Sequence, residues 1–417
     1  MYEMETMILP EERKVLRELA KKQAEYAALP LQKEREKLWY RHNALQGERP
    51  VIVVEMPSFE KELLPAAKCT SPLAAHMELM MNRNIVSFEK IGDDKVVPSA
   101  LDIDMQISHR AFDMDFKRIN PKEKSDKLQG FQFEHPIRCL EEDFHKLRPS
   151  VNRYDAELNR LRLEAARDAV GDILPVNMKN RSINWSGAIT ATAVNLMGLE
   201  ELLVNLAAEP ELAERLLDFI VTDLEKQVEW MEELGILTAN NGNDFAGAGS
   251  YGFTKELNPT EGKVRAKDLW FNTNSQESSS ISPRMYGEQI FPFIKRLAAR
   301  FGLIYYGCCE PVHAVWKDYV STIPNLRKVS ISMWCDEEYM GEALKGSGVI
   351  YSRKPSPLMI GTQDPFDEAA FRAHIQKTLT AAKDCPMEFI YRDVYTLGGD
   401  PTKAARAVRI IREMIGG

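Results

Sequence analysis

The chain has 417 residues, 44 % of them hydrophobic and 28 % charged, with a formal charge of −8 and a sequence pI of about 5.6. No lysine- or arginine-rich block gives a nucleic-acid footprint, and no run of about 18 apolar residues is present to cross a membrane. The start, MYEMETMILPEERK, has no basic-then-apolar leader. Six cysteines in such a length are not a disulfide framework, so the sequence predicts a cytoplasmic chain whose thiols stay free or bind metal.

Residues 1–48 are charged and helical in pattern, with Leu16, Leu19 and Ala20 on one face. They predict an N-terminal helical extension laid on the outside of a domain, where charged helices offer a homodimer surface. The domain itself runs over 49–417. Val51–Val54 is a continuous β-branched run bounded by prolines, which reads as a buried parallel strand. Ser71 and Pro72 open a helix as N-cap and first residue. A strand is expected within VPSALDIDM, and the charge-rich, patternless stretch over 106–150 reads as an insertion.

DILPVNM gives the next strand. Leu216, Ile220, Leu224, Val228 and Met231 then mark a long amphipathic helix closed by Gly235, and ILTANN follows as a strand. The loop NGNDFAGAGSYGF matches neither glycine-rich phosphate motif and is expected to be mobile, with Asp244 in a turn role. Ser282 and Pro283 open a helix to about Arg300. The last third repeats strand then helix four times, from GLIYYGC, RKVSISMW, GVIYSRKP and EFIYRDVY. Counting back gives about eight units, so the predicted fold is α/β, a (β/α)8 TIM barrel.

Active-site residues of such a barrel sit at the C-terminal strand ends. Cys308, Cys309 and Glu310 end one strand; Cys335, then Arg353 and Lys354, then Arg392, Asp393 and Tyr395 end others; Glu277 lies after the segment before them. Side-chain alternation places Tyr306 and Cys308 on one face and Cys309 on the other. Glu277, Cys308 and Cys335 are 31 and 27 positions apart, as expected of zinc ligands drawn from separate units. Glu310 is a further candidate. Arg353 and Arg392 suit an anionic substrate, and Tyr306 or Tyr395 suits proton donation. Cys69, Cys139 and Cys385 read as small buried hydrophobes.

The stretch ESSSISPRMYGEQIFPFIKRLAARFGLIYYGCCEP resembles a segment of the uroporphyrinogen decarboxylase superfamily, closest to its corrinoid (cobalamin) methyltransferase branch. The resemblance covers roughly residues 170 to 415. It implies a (β/α)8 barrel and methyl transfer between a small methoxylated or methylated compound and a corrinoid protein, as in O-demethylation, with zinc assisting. In that branch the metal ligands are a His-x-Cys pair and a cysteine on the last strand. Here Tyr306 stands at the histidine position, Cys308 matches the cysteine, and the last strand, YRDVYTLGG, has none. Glu277, Glu310 or Cys335 would then complete the set. The first strand, VIVVEMPSFEKE, lacks the arginine pair of the decarboxylases. The alternatives are a decarboxylase-like lyase without metal and a non-catalytic barrel that binds a tetrapyrrole or corrinoid.

Overall fold

The computed structural model describes residues 2–120, 132–259 and 262–416. Eight parallel strands organise it. They are β1 (Val51–Val54), β2 (Leu101–Asp104), β3 (Val176–Lys179), β4 (Trp270–Thr273), β5 (Leu303–Tyr306), β6 (Leu326–Ile331), β7 (Ile350–Arg353) and β8 (Met387–Tyr391). Six form one parallel sheet in the order β1-β8-β7-β6-β5-β4, and β2 pairs with β3 in a separate parallel pair. The fold is therefore α/β with parallel strands linked through helices, as helix-covered β-branched runs dictate.

At the two edges of the six-stranded sheet, side chains occupy positions that a ladder would fill. On the β1 edge, the Asp94 carboxylate accepts from the Ile52 N–H at 2.9 Å and that of Asp93 from Val54 at 2.8 Å. On the β4 edge, the Asn240 amide accepts from Trp270 N–H and donates to its carbonyl, at 2.9 and 3.0 Å. The ILTANN segment consequently lies between β3 and β4 without being a strand. Its Thr238 hydroxyl accepts from Asn180 N–H at 2.9 Å. Polar side chains that satisfy the neighbouring backbone displace the regular ladder there.

Several local signals set element ends as expected. Ser282 and Asp336 cap helices Pro283–Gln289 and Glu337–Leu344, accepting from Met285 and Tyr339 N–H. Gly235 closes helix Pro210–Leu234 in the left-handed region at φ 67°. The helix expected to run to Arg300 is interrupted at Ile290 and resumes as Phe291–Ala298, with Pro292 at its second position unable to donate backward. In the 106–150 insertion, Ile107–Arg110 pairs antiparallel with Val151–Tyr154, and Lys117–Ile119 with Gln132–Glu134. Its residues 121–131 lie outside the described ones.

The N-terminal helices divide between two jobs. Pro10–Ala27 buries Leu16 and Ala20 against helices Pro72–Val86 and Ala156–Val170. Helix Pro30–Asn43 instead closes the N-terminal ends of the strands. Its Trp39 packs among Val51, Val53 and Ile390, and its His42 Nε2 lies 3.1 Å from Glu388. Among the described residues no single helix is long and apolar enough to cross a membrane.

Alternation along the sheet separates two environments. Ile52, Val54, Ile304, Tyr306, Val329, Ile331, Tyr351, Phe389 and Tyr391 pack into the large apolar core shared with the helices. The intervening residues face inward, and many are polar: Tyr305, Lys328, Ser330, Ser352 and Glu388, all buried. A buried charge needs pairing and hydrogen bonds, and Glu388 has both. Lys328 Nζ donates to it at 2.9 Å, Ser250 Oγ at 2.9 Å and Ser352 Oγ at 2.6 Å.

Candidate functional site

The inward row continues past the strand ends. Two residues beyond Ser352 stands Lys354, and two beyond Ile390 stands Arg392, as a period of two requires. Lys354 Nζ donates to Tyr305 Oη at 2.6 Å and to Ser352 Oγ at 2.8 Å. Burial brings its ammonium down to about 7, opposed by Glu388 and reinforced by Arg392. The unfolded lysine titrates near 10.4, so the folded chain binds fewer protons between about 7 and that value. The penalty of holding the cation is full below the folded pKa and is relieved as pH rises. Urea midpoints of the wild type and of Lys354→Met, taken across this window, are expected to show the wild type gaining stability relative to the variant as pH rises. Parallel pH profiles would contradict this.

Beside Lys354 lie the two adjacent cysteines, whose sulfurs are 3.6 Å apart. The expectation that they face opposite ways fails because β5 ends at Tyr306, and Gly307 takes φ +96°. That left-handed step, open to glycine without a Cβ penalty, ends the alternation and turns both thiols to one side. Cys309 Sγ donates to Asp393 Oδ2 at 3.5 Å. Asp393 itself holds φ +57°, a conformation aspartate tolerates better than most residues. The hydrogen bond from Cys309, and then Arg392, hold the Cys308 thiol below its ordinary value against the opposing effect of burial. Cys309 is raised by the same bond and by burial. The pair thus consists of one thiol disposed to ionise and one that keeps its proton.

Arg392 joins the thiols to a pocket. Its Nε lies 3.3 Å from Glu55 Oε2 and 3.4 Å from Asp393 Oδ2, and its guanidinium sits over the Trp185 ring at 5.3 Å. Neither Nε nor Nη1 has a well-directed hydrogen-bond acceptor among the described residues, so the guanidinium keeps donor capacity for a bound polar group. Glu55 also lines a cavity of about 270 Å³ shared with Lys95, Asp102, Arg181, Asp244 and Tyr251. Asp244, expected in a turn, is a pocket residue: burial raises its pKa, and Lys179 pairs with it at 3.1 Å.

The glycine-rich loop is likewise not a mobile cover. Phe245–Gly247 and Ser250–Tyr251 form a short antiparallel pair whose residues 246–250 are buried. A Cβ on Gly249 would stand 2.6 Å from Ile390 Cγ2 and 3.4 Å from the Glu55 carboxyl. The glycine therefore lets backbone close in on the pocket wall.

Of the residues given a catalytic or metal-binding role from sequence, Cys308, Arg392 and Tyr395 come together. Tyr395 is 59 % exposed at the rim, and its hydroxyl is affected by Asp393, Cys309, Arg392 and Cys308. The others do not join them. Tyr306 faces the helices, its hydroxyl 2.7 Å from that of Tyr286. Arg353 also faces outward and is fully engaged. It donates to Glu337 at 2.8 Å, to the carbonyls of Ile331 and Ser332 at 3.2 and 2.7 Å, and to Thr378 at 3.2 Å. It ties β7 to its covering helices and is not a substrate clamp.

A zinc ion does not fit the four side chains the sequence offered for it. Both Glu310 oxygens accept backbone N–H groups, from Ser275 at 3.0 Å and Cys308 at 2.9 Å. Glu277 accepts from Thr190 Oγ1 at 2.7 Å. Cys335 is raised by burial and lies 3.7 Å from both Ser332 Oγ and the Glu310 carbonyl. Among the described residues no group of three or more His, Cys, Asp or Glu side chains is placed to hold a metal ion.

Glu55 and Arg181 complete the site and were not assigned to it from sequence, whereas Lys354 and Asp393 were placed at the strand ends but given no role. The signal for Lys354 was the recurrence of polar residues at alternate positions, Lys328, Ser330 and Ser332 in KVSIS, Ser352 and Lys354 in IYSRK, and Glu388 and Arg392 in MEFIYR, which marks an inward polar row in otherwise buried strands.

No protein-family model matches the sequence, and no curated protein matches it. Among solved structures, the chain is similar to a methyltransferase from Methanosarcina mazei at 12 % sequence identity, with 90 % of this chain and 97 % of that one covered and a TM-score of 0.50. Identity at that level speaks to the fold alone: the chain has an α/β architecture like that of a known methyltransferase.

Proposed function

We propose that the chain is a (β/α)8 barrel enzyme of the uroporphyrinogen decarboxylase-like superfamily that transfers a methyl group between a small molecule and a corrinoid protein. The barrel reading is supported by eight strands in two parallel sheets, with the segment of Thr238 and Asn240 spanning from β3 to β4 and with Asp93 and Asp94 capping the free edge of β1. The observation that carries the function is the thiol pair beside a buried arginine with free donor capacity, next to a pocket sized for a small molecule.

Removing a methyl cation from oxygen, nitrogen or sulfur leaves an electron pair on that atom. The Arg392 guanidinium stabilises the charge that develops there. Cys309, which keeps its proton, or Lys354, which gains and loses one near neutral pH, supplies the proton that completes the product. Glu55, Arg181 and Asp244 orient the substrate in the cavity. No step is routed through zinc, whose expected ligands are engaged elsewhere.

A corrinoid carried by a partner protein would take or supply the methyl group. The loops after β6, β7 and β8, three neighbouring strands, expose Trp334 at 66 %, Leu358 at 53 % and Tyr395 at 59 %. Aromatic and aliphatic side chains in such positions suit a docking surface around the mouth. The test uses free methylcobalamin with the full chain and a panel of small thiols, phenols and amines. Loss of the methyl–cobalt absorbance with a methylated acceptor in the products is the expected result. An unchanged spectrum with every acceptor, together with no methylation of reduced cobalamin by methylthioethers, methoxyarenes or methylamines, would overturn the reading.

A further inference from the structure

We infer that Cys308 and Cys309 form a vicinal dithiol that exchanges with low-molecular-weight disulfides and closes into a disulfide ring between the two adjacent residues. All six cysteines are free, and among the described residues this pair alone brings two sulfurs within 3.6 Å. Adjacent side chains on a regular strand diverge. Here the strand has ended and the Gly307 step turns both toward the same side. Closure brings the sulfurs from 3.6 Å to bonding distance, about 2 Å.

The surroundings supply both halves of an exchange reaction. Cys309 is the more exposed thiol and lies beside the Asp393 carboxylate, while Cys308 is buried at 8 % exposure. Cys308, the thiol disposed to ionise, gives up its proton and attacks one sulfur of an external disulfide RS–SR as the thiolate. That S–S bond breaks, a mixed disulfide forms, and RS⁻ leaves and is protonated. Cys309, its proton passing to Asp393, then attacks the Cys308 sulfur, the mixed disulfide breaks, and the second RS⁻ leaves with that proton. Two cysteine thiols are oxidised to one disulfide, and the external disulfide is reduced to two thiols.

Consecutive Cα atoms across a trans peptide stand about 3.8 Å apart, below the usual span of disulfides, about 4.4–6.8 Å. The ring is therefore strained, and strained disulfides are the easily reduced ones. The pair suits a reversible sensor of thiol–disulfide balance better than a permanent brace. The inference stands on the geometry of the pair and holds whether or not the pocket transfers methyl groups.

The experiment incubates the full, folded chain with oxidised glutathione, quenches in acid, and measures intact mass, peptide map and thiol content in denaturant. The wild type is expected to lose two hydrogens and two of its six titratable thiols, with the change confined to the peptide carrying Cys308 and Cys309. Dithiothreitol should reverse it. Cys309→Ser is expected to stop at a stable glutathione adduct on Cys308, because the resolving thiol is gone. A wild type that retains the glutathione adduct, is modified elsewhere, or resists modification altogether would overturn the inference. Circular dichroism of the variant separates misfolding from chemistry, and the wild-type mass change decides the case without any variant.

Discussion

Replacing Lys328 with methionine is expected to lower the free energy of unfolding by about 3–5 kcal/mol, the usual cost of stranding one member of a buried ion pair. Both partners are fully buried, with Nζ 2.9 Å from Glu388 Oε2. Burial would raise the Glu388 pKa, but the Lys328 ammonium and His42 hold its carboxyl well below the ordinary range. The variant leaves that carboxylate facing His42, Ser250 and Ser352 without a full positive charge. Lys328 also lies over the Trp39 and Trp270 rings, 5.3 and 5.7 Å from their centroids, so methionine keeps part of the packing while losing the charge. The pH dependence has a definite sign. A depressed carboxyl pKa stabilises the fold above its unfolded value, about 4.3, and loses that contribution as pH falls through the folded value. The gap between wild type and Lys328→Met should accordingly be full at neutral pH and narrow in acid. Adding Glu388→Gln should recover part of the loss by removing the stranded charge. Urea unfolding followed by circular dichroism measures all three, and a loss below about 1 kcal/mol would mean that water or relaxation already screens the pair.

That interior network also shows where sequence reading succeeds and where it stops. Strand positions were legible because apolar β-branched runs can be buried on both faces only by packing helices over them, and Val51–Val54 and the last four strands form as read. Cap residues such as Asp336 and Gly235 were legible because their roles are local. Two kinds of feature were not. Glu388 and Lys328 meet across strands 60 positions apart, and local pattern does not reveal which inward polar residues will pair. Cys308 and Cys309 were assigned opposite faces because alternation was carried three residues past the end of β5, whereas Gly307 at φ +96° breaks it. Arg353 was expected to hold substrate, but the same alternation sends it outward with Tyr351, two residues before it, and the inward neighbour Lys354 reaches the site instead. Glu310 was misread for a different reason. Its acidity suggested a ligand, but its carboxyl is used to hold two backbone N–H groups where the strand ends.

Arg392→Met is expected to reduce methyl-transfer turnover by about 10²–10³-fold, the scale set by removing one preorganised donor from a site of developing charge. The guanidinium is 12 % exposed at the side chain, lies between the Glu55 and Asp393 carboxylates, and retains unpaired donors. Removing it subtracts charge stabilisation from the atom that loses the methyl group and leaves the two carboxylates without their shared cation. Arg392→Lys should restore part of the rate, since it keeps the charge but lacks the planar fork. A second readout does not depend on substrate identity. Arg392 lowers the Cys308 pKa, so at neutral pH the variant should hold less thiolate, and Cys308 should react more slowly with iodoacetamide. The pH midpoint of alkylation should move upward, while Arg353→Met, which removes an arginine from the outer face, should leave that midpoint in place. Slower alkylation with unchanged turnover would keep Arg392 as a partner of the thiols and remove it from the chemistry of the transferred group.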